Sequence, residues 1–218
     1  MKQLSISLQD ISFTYDKRKV LFEYFQLDLP SDQTIVLKGE NGVGKSTLAC
    51  LTAGILKPHA GRIIYSDGSD ILTKPSQVAN QLAFLRQKSV QNILGATPKE
   101  DLRLWLLSDK QAEDKIRQAL AAWRIADKAS SPVWELSTGE LNSLALAGIN
   151  FFPERYWILD EPFTGLDSEH SEQLIEALKQ KRTISKGMLI ISHQTEQLEA
   201  VADKIYRLLP KGKIQCSQ

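Results

Sequence analysis

The first third of the chain alternates apolar and polar residues over short stretches, a pattern typical of β-strands. Leu4, Ile6 and Leu8 alternate with serines and predict a half-buried strand. A short β-branched, apolar run at 34–37 predicts a buried strand. Further short strands are predicted at 11–15, 27–29 (ended by Pro30), 61–66 and 82–86.

The middle of the chain changes to a helical period between about 98 and 129. Apolar residues recur on one face of a helix, namely Ala112, Ile116, Ala119, Leu120 and Trp123. Ser108–Gln111 offers a capping box for that helix, and Leu102, Trp105 and Leu106 predict a preceding one. We interpret 88–135 as a small helical subdomain inserted into an α/β core. Helices that belong to the main core are the alternative.

The α/β pattern returns in the last third of the chain. Near-continuous apolar runs at 156–159 and 188–191 are expected of central parallel strands. Helices are predicted at 168–181 and 195–202, and a last strand at 205–208. Together these elements indicate one α/β domain over 1–218, with a mixed sheet, antiparallel strands at its N-terminal end and the inserted helices.

Composition narrows the class of protein. The chain has 218 residues, 42% hydrophobic and 24% charged, with a net charge of +1, so its overall balance does not suggest nucleic acid or an acidic membrane surface as a partner. The two cysteines form no metal-binding pattern. No stretch approaches the ~20 apolar residues needed to span a bilayer, and the start lacks a signal-peptide core. We therefore expect an intracellular protein that reaches a membrane only through a partner.

One nonapeptide carries the strongest chemical signal. Gly39-Glu40-Asn41-Gly42-Val43-Gly44-Lys45-Ser46-Thr47 fits the phosphate-loop pattern G-x-x-x-x-G-K-[ST], between the strand 34–37 and a predicted helix. The glycines allow the backbone to close on an anion, and the N–H groups from Asn41 to Thr47 converge on phosphate oxygens. Lys45 is expected to reach the β- and γ-phosphates, and the Ser46 hydroxyl to bind Mg²⁺. The alternative is a glycine-rich turn that binds nothing.

Two further stretches extend this chemistry. The strand 156–159 is followed by Asp160 and Glu161, and ligands bind beyond the carboxyl ends of strands in open α/β sheets. Asp160 is therefore expected to hold Mg²⁺ and Glu161 to orient or deprotonate a water, unless the pair is a solvated acidic turn. Leu136-Ser137-Thr138-Gly139-Glu140 precedes a helical run, which indicates a second anion site or an ordinary helix cap.

The order of these motifs strongly resembles that of the ATP-binding-cassette (ABC) ATPases, whose core is the phosphate-loop NTPase fold. The resemblance covers essentially the whole chain. It implies that Tyr15 stacks on adenine, and that Gln87 senses Mg²⁺ and the membrane partner. It also implies that His193 contacts the γ-phosphate. By the same resemblance, Leu136–Glu140 is the signature motif, with Ser137 and Gly139 on the nucleotide, and Thr164–Asp167 is the D-loop.

The family architecture implies a partner and a place in the cell. Two chains would pack head to tail, each ATP lying between one chain's phosphate loop and the other's signature, as a homodimer or with a second ABC ATPase. Integral membrane subunits would dock near Gln87 and 88–107, where Leu94, Leu104 and Trp105 line a groove or belong to the core. The ATPase would then lie on the cytoplasmic face of a membrane. Ala145–Gly148 and Thr97–Asp101 resemble the energy-coupling-factor importers of vitamins, cobalt and nickel.

The signature departs from the common Leu-Ser-Gly-Gly-Gln. Thr138 replaces a glycine, Glu140 replaces glutamine, and Leu141, Asn142 and Ser143 stand where the family usually has basic residues. These changes put the signature half-site in doubt and favour pairing with a different ATPase subunit. Three rival functions stay open: an ABC ATPase that acts on nucleic acid or ribosomes, another phosphate-loop enzyme such as a small-molecule kinase, and a regulatory subunit with little turnover.

Overall fold

The computed structural model describes residues 4–16, 20–66 and 80–216. Three N-terminal strands form an antiparallel sheet in the order β2-β1-β4: β1 (Ile6–Thr14), β2 (Val20–Leu29) and β4 (Ala60–Tyr65). Leu8 of β1 lies opposite Leu27 of β2 and Ile63 of β4, so their side chains share one buried face. The alternation that predicted half-buried strands here is confirmed.

A second sheet of six strands forms the centre of the molecule, in the order β5-β6-β7-β3-β8-β9. Its strands are β3 (Thr34–Gly39), β5 (Leu82–Leu85), β6 (Tyr156–Asp160), β7 (Met188–Ile191), β8 (Lys204–Leu209) and β9 (Lys213–Cys216). The first five run parallel, and β9 pairs antiparallel with β8. Every residue of β6 and β7 is buried, which explains their unbroken apolar sequences.

Helices cover both faces of the six-stranded sheet. They are α1 (Lys45–Thr52), α2 (Pro98–Trp105), α3 (Ala112–Ala122), α4 (Thr138–Ile149) and α5 (Ser168–Ile184). Alternate residues of β3 enter different cores, as the two-residue period of a strand requires. Ile35 and Leu37 pack with α1 and the three-stranded sheet, whereas Val36 packs with α4 and α5. The predicted α/β fold with a mixed sheet and antiparallel N-terminal strands is confirmed.

The helical middle contains α2 and α3, joined to short 3-10 turns at Ser89–Asn92, Ala126–Lys128 and Val133–Glu135. Leu102, Ile116 and Trp123 belong to the same buried cluster as α4 and α5. The division of the chain into one domain with a subdomain at 88–135 stays a prediction. No helix in the described part of the chain is long and apolar enough to cross a bilayer.

Two local predictions were wrong, and one strand was missed. The capping box at Ser108–Gln111 does not form, because α3 begins after Gln111 without a side-chain cap, while Asp109 Oδ1 accepts the N–H of Gln111 at 2.8 Å. The helix predicted at 195–202 is only a 3-10 turn, Glu196–Leu198, because the chain must turn into β8 at Lys204. Strand β9 was not predicted.

Candidate functional site

The phosphate loop connects the end of β3 to the start of α1. Gly44 is the N-cap of α1 and has a φ of 111°, a left-handed conformation that glycine adopts at little cost. A Cβ on Gly39 would lie 2.6 Å from the carbonyl oxygen of Leu208, so this position accepts no side chain. Val43 is buried beneath the loop and anchors it in the core. The loop is thereby fixed with its backbone N–H groups at a helix N-terminus.

Lys45 is folded back across its own loop. Its Nζ donates to the carbonyl oxygens of Gly39 at 2.8 Å and Glu40 at 3.0 Å. Burial lowers the pKa of the ammonium, and the nearby Glu161 and Asp160 carboxylates oppose that change. The side chain is thus held at the phosphate loop by acceptors that a phosphate oxygen can replace.

Asp160 ends β6 directly beneath the loop and is only 3% exposed. Burial raises the pKa of its carboxyl to about 6, although a hydrogen bond with Ser46 opposes that shift. The Asp160 Oδ1 atom is buried and has no hydrogen-bond partner among the described residues. A buried carboxylate oxygen beside a hydroxyl is a donor set that fits a hard divalent cation such as Mg²⁺. The structure therefore brings together two of the three residues predicted at the metal, Ser46 and Asp160.

Glu161 follows Asp160 with a φ of 52°, which is uncommon for a residue with a side chain. Its N–H donates to the carbonyl of Ile191 at 2.8 Å, at the end of β7. His193, two residues further along that segment, lies with Nε2 3.2 Å from Glu161 Oε1, and its own N–H donates to Oε2 at 3.3 Å. The two predicted catalytic side chains are in direct contact.

A cavity of about 550 Å³ joins most of the predicted site residues. Its lining includes the following: Tyr15, Asn41, Gly42, Gly44, Lys45, Ser46, Thr47, Gln87, Glu161 and His193. Tyr15 is 68% exposed at its rim, and its hydroxyl lies 3.2 Å from Thr47 Oγ1. Gln87 is exposed just after β5. Asp16 and Leu21 also line the cavity, and only their proximity to Tyr15 in sequence could have indicated this.

The signature residues do not line this cavity. Ser137 caps α4, and Glu140 completes a capping box: Ser137 Oγ accepts the Glu140 N–H at 3.2 Å and Glu140 Oε2 accepts the Ser137 N–H at 2.6 Å. Glu140 in place of glutamine therefore has a structural role as a cap. A Cβ on Gly139 would lie 2.4 Å from the carbonyl oxygen of Gly165, so Gly139 permits close contact with the D-loop.

The family model described as "ABC transporter" matches residues 22–164, about two thirds of the chain. The chain belongs to the ABC transporter family. As an ATP-binding protein of this family it is an ATPase, and its relatives are ATP-binding subunits of membrane transporters.

Three curated relatives are similar over most of this ABC ATPase. A protein of Pyrococcus horikoshii, named as an ABC transporter ATP-binding protein, is 30% identical over 96% of the chain and 82% of its own length. The cytochrome c biogenesis ATP-binding export protein of Maricaulis maris is 29% identical over 88% of the chain and 84% of its own length. The cobalt import ATP-binding protein of Rhodobacter capsulatus is 29% identical over 82% of the chain and 66% of its own length.

A solved structure of an ATP-binding subunit of an ABC transporter has the same fold. It superposes with a TM-score of 0.84 over 97% of this chain and 90% of its own, at 23% identity. This similarity confirms the fold expected from the resemblance.

The sequence did not predict the contacts that Asn142 makes in this ABC ATPase. It is buried within α4, and its Nδ2 donates to the carbonyl oxygens of Pro162 at 2.6 Å and Thr164 at 3.2 Å. A polar residue in the mostly apolar run 141–149 was the available signal, since a buried amide must find partners.

The three residues considered for the docking groove differ in exposure. Leu94 is 85% exposed and Leu104 is 43% exposed. Trp105 is half-buried instead: it packs against Phe152, and a Cβ on Gly148 would lie 2.5 Å from its Nε1. Trp105 therefore belongs to the core, and only the two leucines are available at the surface.

Proposed function

We propose that this chain is the Mg-ATP-hydrolysing subunit that powers a membrane transporter through ATP-driven, head-to-tail pairing of two such domains. The observation that carries the proposal is the single cavity in which Lys45, Ser46, Glu161 and His193 converge. Asp160 does not line this cavity but is hydrogen-bonded to Ser46, which does. A phosphate-binding loop, a cation-binding pair and a general base are the parts that phosphoryl transfer to water requires.

Each residue has a role that follows from its contacts. The backbone N–H groups from Asn41 to Thr47 bind the phosphates, and Lys45 exchanges its bonds to Gly39 and Glu40 for phosphate oxygens. Tyr15, exposed at the rim of the cavity, is available to stack on the adenine.

Ser46 and Asp160 would hold Mg²⁺, with Gln87 close to the same space. The bound ion would neutralise charge on the phosphates. Burial disfavours the ionised form of Asp160, and a cation held at this position would favour it.

Glu161 and His193 act on the water that attacks the γ-phosphate. Glu161 orients the water and accepts its proton; the His193 N–H donates to that carboxylate, and the ring lies beside it. His193 then remains beside the γ-phosphate once ATP is bound, where it links the phosphate to the catalytic carboxylate. This arrangement makes Glu161 dispensable for binding ATP but required for turnover.

A second chain completes the site in this proposal. Ser137 and Gly139 do not line the cavity of their own chain, so their contact with nucleotide would come from a partner subunit. The exposed Leu94 and Leu104 are candidates for contact with a membrane subunit on its cytoplasmic face. The relatives include one named for cobalt import and one for cytochrome c biogenesis export. Uptake of a metal ion or vitamin, suggested by Ala145–Gly148, is the finer proposal.

The test is Mg-ATP turnover by the purified protein, wild type beside Glu161→Gln, with ATP binding measured in parallel. We expect turnover to fall by at least about 100-fold in the variant while ATP binding is retained, because a general base typically contributes 10²–10⁴-fold. Glu172→Gln, an exposed acid on α5, is the matched control and should turn over like wild type. Removal of Mg²⁺ with EDTA should also abolish turnover. Absence of ATP binding in the wild type would refute the proposal.

A further inference from the structure

The D-loop and the signature helix of one chain are joined by a buried amide. Asn142 is 2% exposed and sits one turn into α4. Its Nδ2 donates to the carbonyl oxygens of Pro162 and Thr164, on either side of Phe163. Main-chain carbonyls only accept hydrogen bonds, so only a side chain with donors can satisfy both of them from this position.

A second contact joins the same two segments at the N-terminus of α4. A Cβ on Gly139 would lie 2.4 Å from the Gly165 carbonyl oxygen, and a Cβ on Gly165 would lie 3.1 Å from Thr138 Cγ2. Gly165 has a φ of 77°, a conformation that favours glycine. The segment from Pro162 to Gly165 is therefore packed against α4 at two places, and the unusual Thr138 forms part of that packing.

We propose that Asn142 is a positioning residue for hydrolysis. By holding Pro162 and Thr164 against α4, Asn142 fixes the backbone directly after Glu161. The catalytic carboxylate is thereby kept beside His193. Glu161 has a left-handed backbone conformation, which surrounding contacts must maintain. The catalytic consequence rests on the proposed function, whereas the local structural role does not.

The same contact connects two half-sites in the proposed dimer. Glu161 belongs to the nucleotide site of its own chain, and Ser137 and Gly139 would face the nucleotide of the partner. Asn142 lies on the helix that Ser137 caps, so it links the segment after Glu161 to the helix that carries the signature.

The decisive substitution is Asn142→Asp, which keeps the shape of the side chain and replaces the donors with a carboxylate. We expect kcat to fall by about tenfold or more, since two hydrogen bonds are lost and a charge faces two carbonyls. The KM for ATP should stay within about twofold, because the phosphate loop and Lys45 are untouched. The ratio of variant to wild-type kcat should be higher at pH 6 than at pH 8, because the introduced carboxyl regains one donor when it is protonated at the lower pH.

Ser143→Ala is the matched control, one residue along the same helix. Ser143 is fully buried, and its Oγ has no hydrogen-bond partner among the described residues. This variant should retain wild-type kcat at both pH values. Turnover is expressed per bound nucleotide, so that a reduced folded fraction does not count as reduced kcat.

Hydrogen exchange provides a test that needs no turnover. The amides of Thr164 and Leu166 donate to the carbonyls of Glu161 and Phe163, both at 3.1 Å. In Asn142→Asp, these amides should exchange about tenfold faster or more, while those of α5 stay unchanged. This result is expected even if the wild type alone hydrolyses no ATP, which separates a failure of this inference from a failure of the proposed function.

Three outcomes would overturn the inference: wild-type kcat in Asn142→Asp, unchanged exchange at Thr164 and Leu166, or a loss of activity fully explained by the folded fraction. If Asn142→Asp does not fold, Asn142→Ser is judged by the same kcat and exchange criteria. Its shorter side chain cannot reach both carbonyls and introduces no charge.

Discussion

Lys181, near the C-terminal end of α5, gives the most quantitative prediction, because its amino group is buried and the pKa of that group is strongly lowered. The side chain is 1% exposed, donates from Nζ to the Ser185 carbonyl at 2.7 Å and lies 5.5 Å from the centre of the Trp157 ring. Burial lowers the pKa of its ammonium from 10.5 to about 7, opposed only in part by Glu154. We predict that Lys181→Met raises the free energy of unfolding at neutral pH.

The magnitude follows from the pKa shift. At pH 7.5 the unfolded state holds a proton that the folded state largely releases, which costs about 4 kcal/mol of stability at 1.36 kcal/mol per pH unit. The lost hydrogen bond to Ser185 subtracts about 1 kcal/mol. Lys181→Met should therefore stabilise the protein by about 3 kcal/mol at pH 7.5.

The sign of the pH dependence separates this effect from a change in packing. The folded-state pKa is lowered, so wild-type stability rises as pH increases from about 7 towards 10.5 and the penalty disappears. Between pH 7.5 and pH 9.5 the gap between variant and wild type should narrow by about 2 to 3 kcal/mol.

Urea unfolding at the two pH values measures this gap. Lys179→Met, an exposed lysine on the same helix, is the control and should show no comparable change with pH. An equal gap at pH 7.5 and pH 9.5 would refute the reasoning, because it would mean that Lys181 does not lose its proton on folding.

Two further substitutions test how separate elements are held together. Gly148→Ala should lower the free energy of unfolding by about 1 to 3 kcal/mol, because its Cβ would lie 2.5 Å from Trp105 Nε1; unchanged thermal unfolding would contradict this. Arg182→Lys should cost about 1 to 3 kcal/mol near neutral pH, because Arg182 binds both carboxylate oxygens of Asp203, at 2.7 and 3.0 Å. Arg182 holds the pKa of Asp203 below 3.8, so this contribution is present above that pH and lost as pH falls through the lowered pKa. Urea unfolding should show the Arg182→Lys deficit shrinking in acid; a deficit independent of pH would contradict the assignment.

The elements that the sequence predicted well are those whose side chains alone determine their environment. Strands β6 and β7 are buried along their whole length, and their apolar runs admit few other structures. Strand β9 escaped prediction because it is mostly exposed and forms through its pairing with β8, where Cys216 lies opposite Tyr206. The helix expected at 195–202 had apolar residues at helical spacing, but the return of the chain into the sheet overrides that local preference.

The residues of the candidate site also differ in how far local sequence predicts their arrangement. The phosphate loop is contiguous, so its nine residues predict their own conformation. The contact between Glu161 and His193 was not predicted, since it joins the ends of two strands that are far apart in sequence. The bonds of Asn142 could not be predicted from local sequence, because they depend on the loop after Glu161 folding back onto a helix some twenty residues earlier.

The close packing of Trp105 against Gly148 has a consequence for inheritance and for engineering. An indole at one position excludes a methyl group at the other, so neither residue can change alone without loss of packing. We expect the two positions to vary together among descendants of this sequence. Consider a chimaera that receives the α2–α3 segment of another ATPase. It should fold well only if the donor segment has an indole-sized side chain at position 105, or if the host has a larger residue than glycine at position 148.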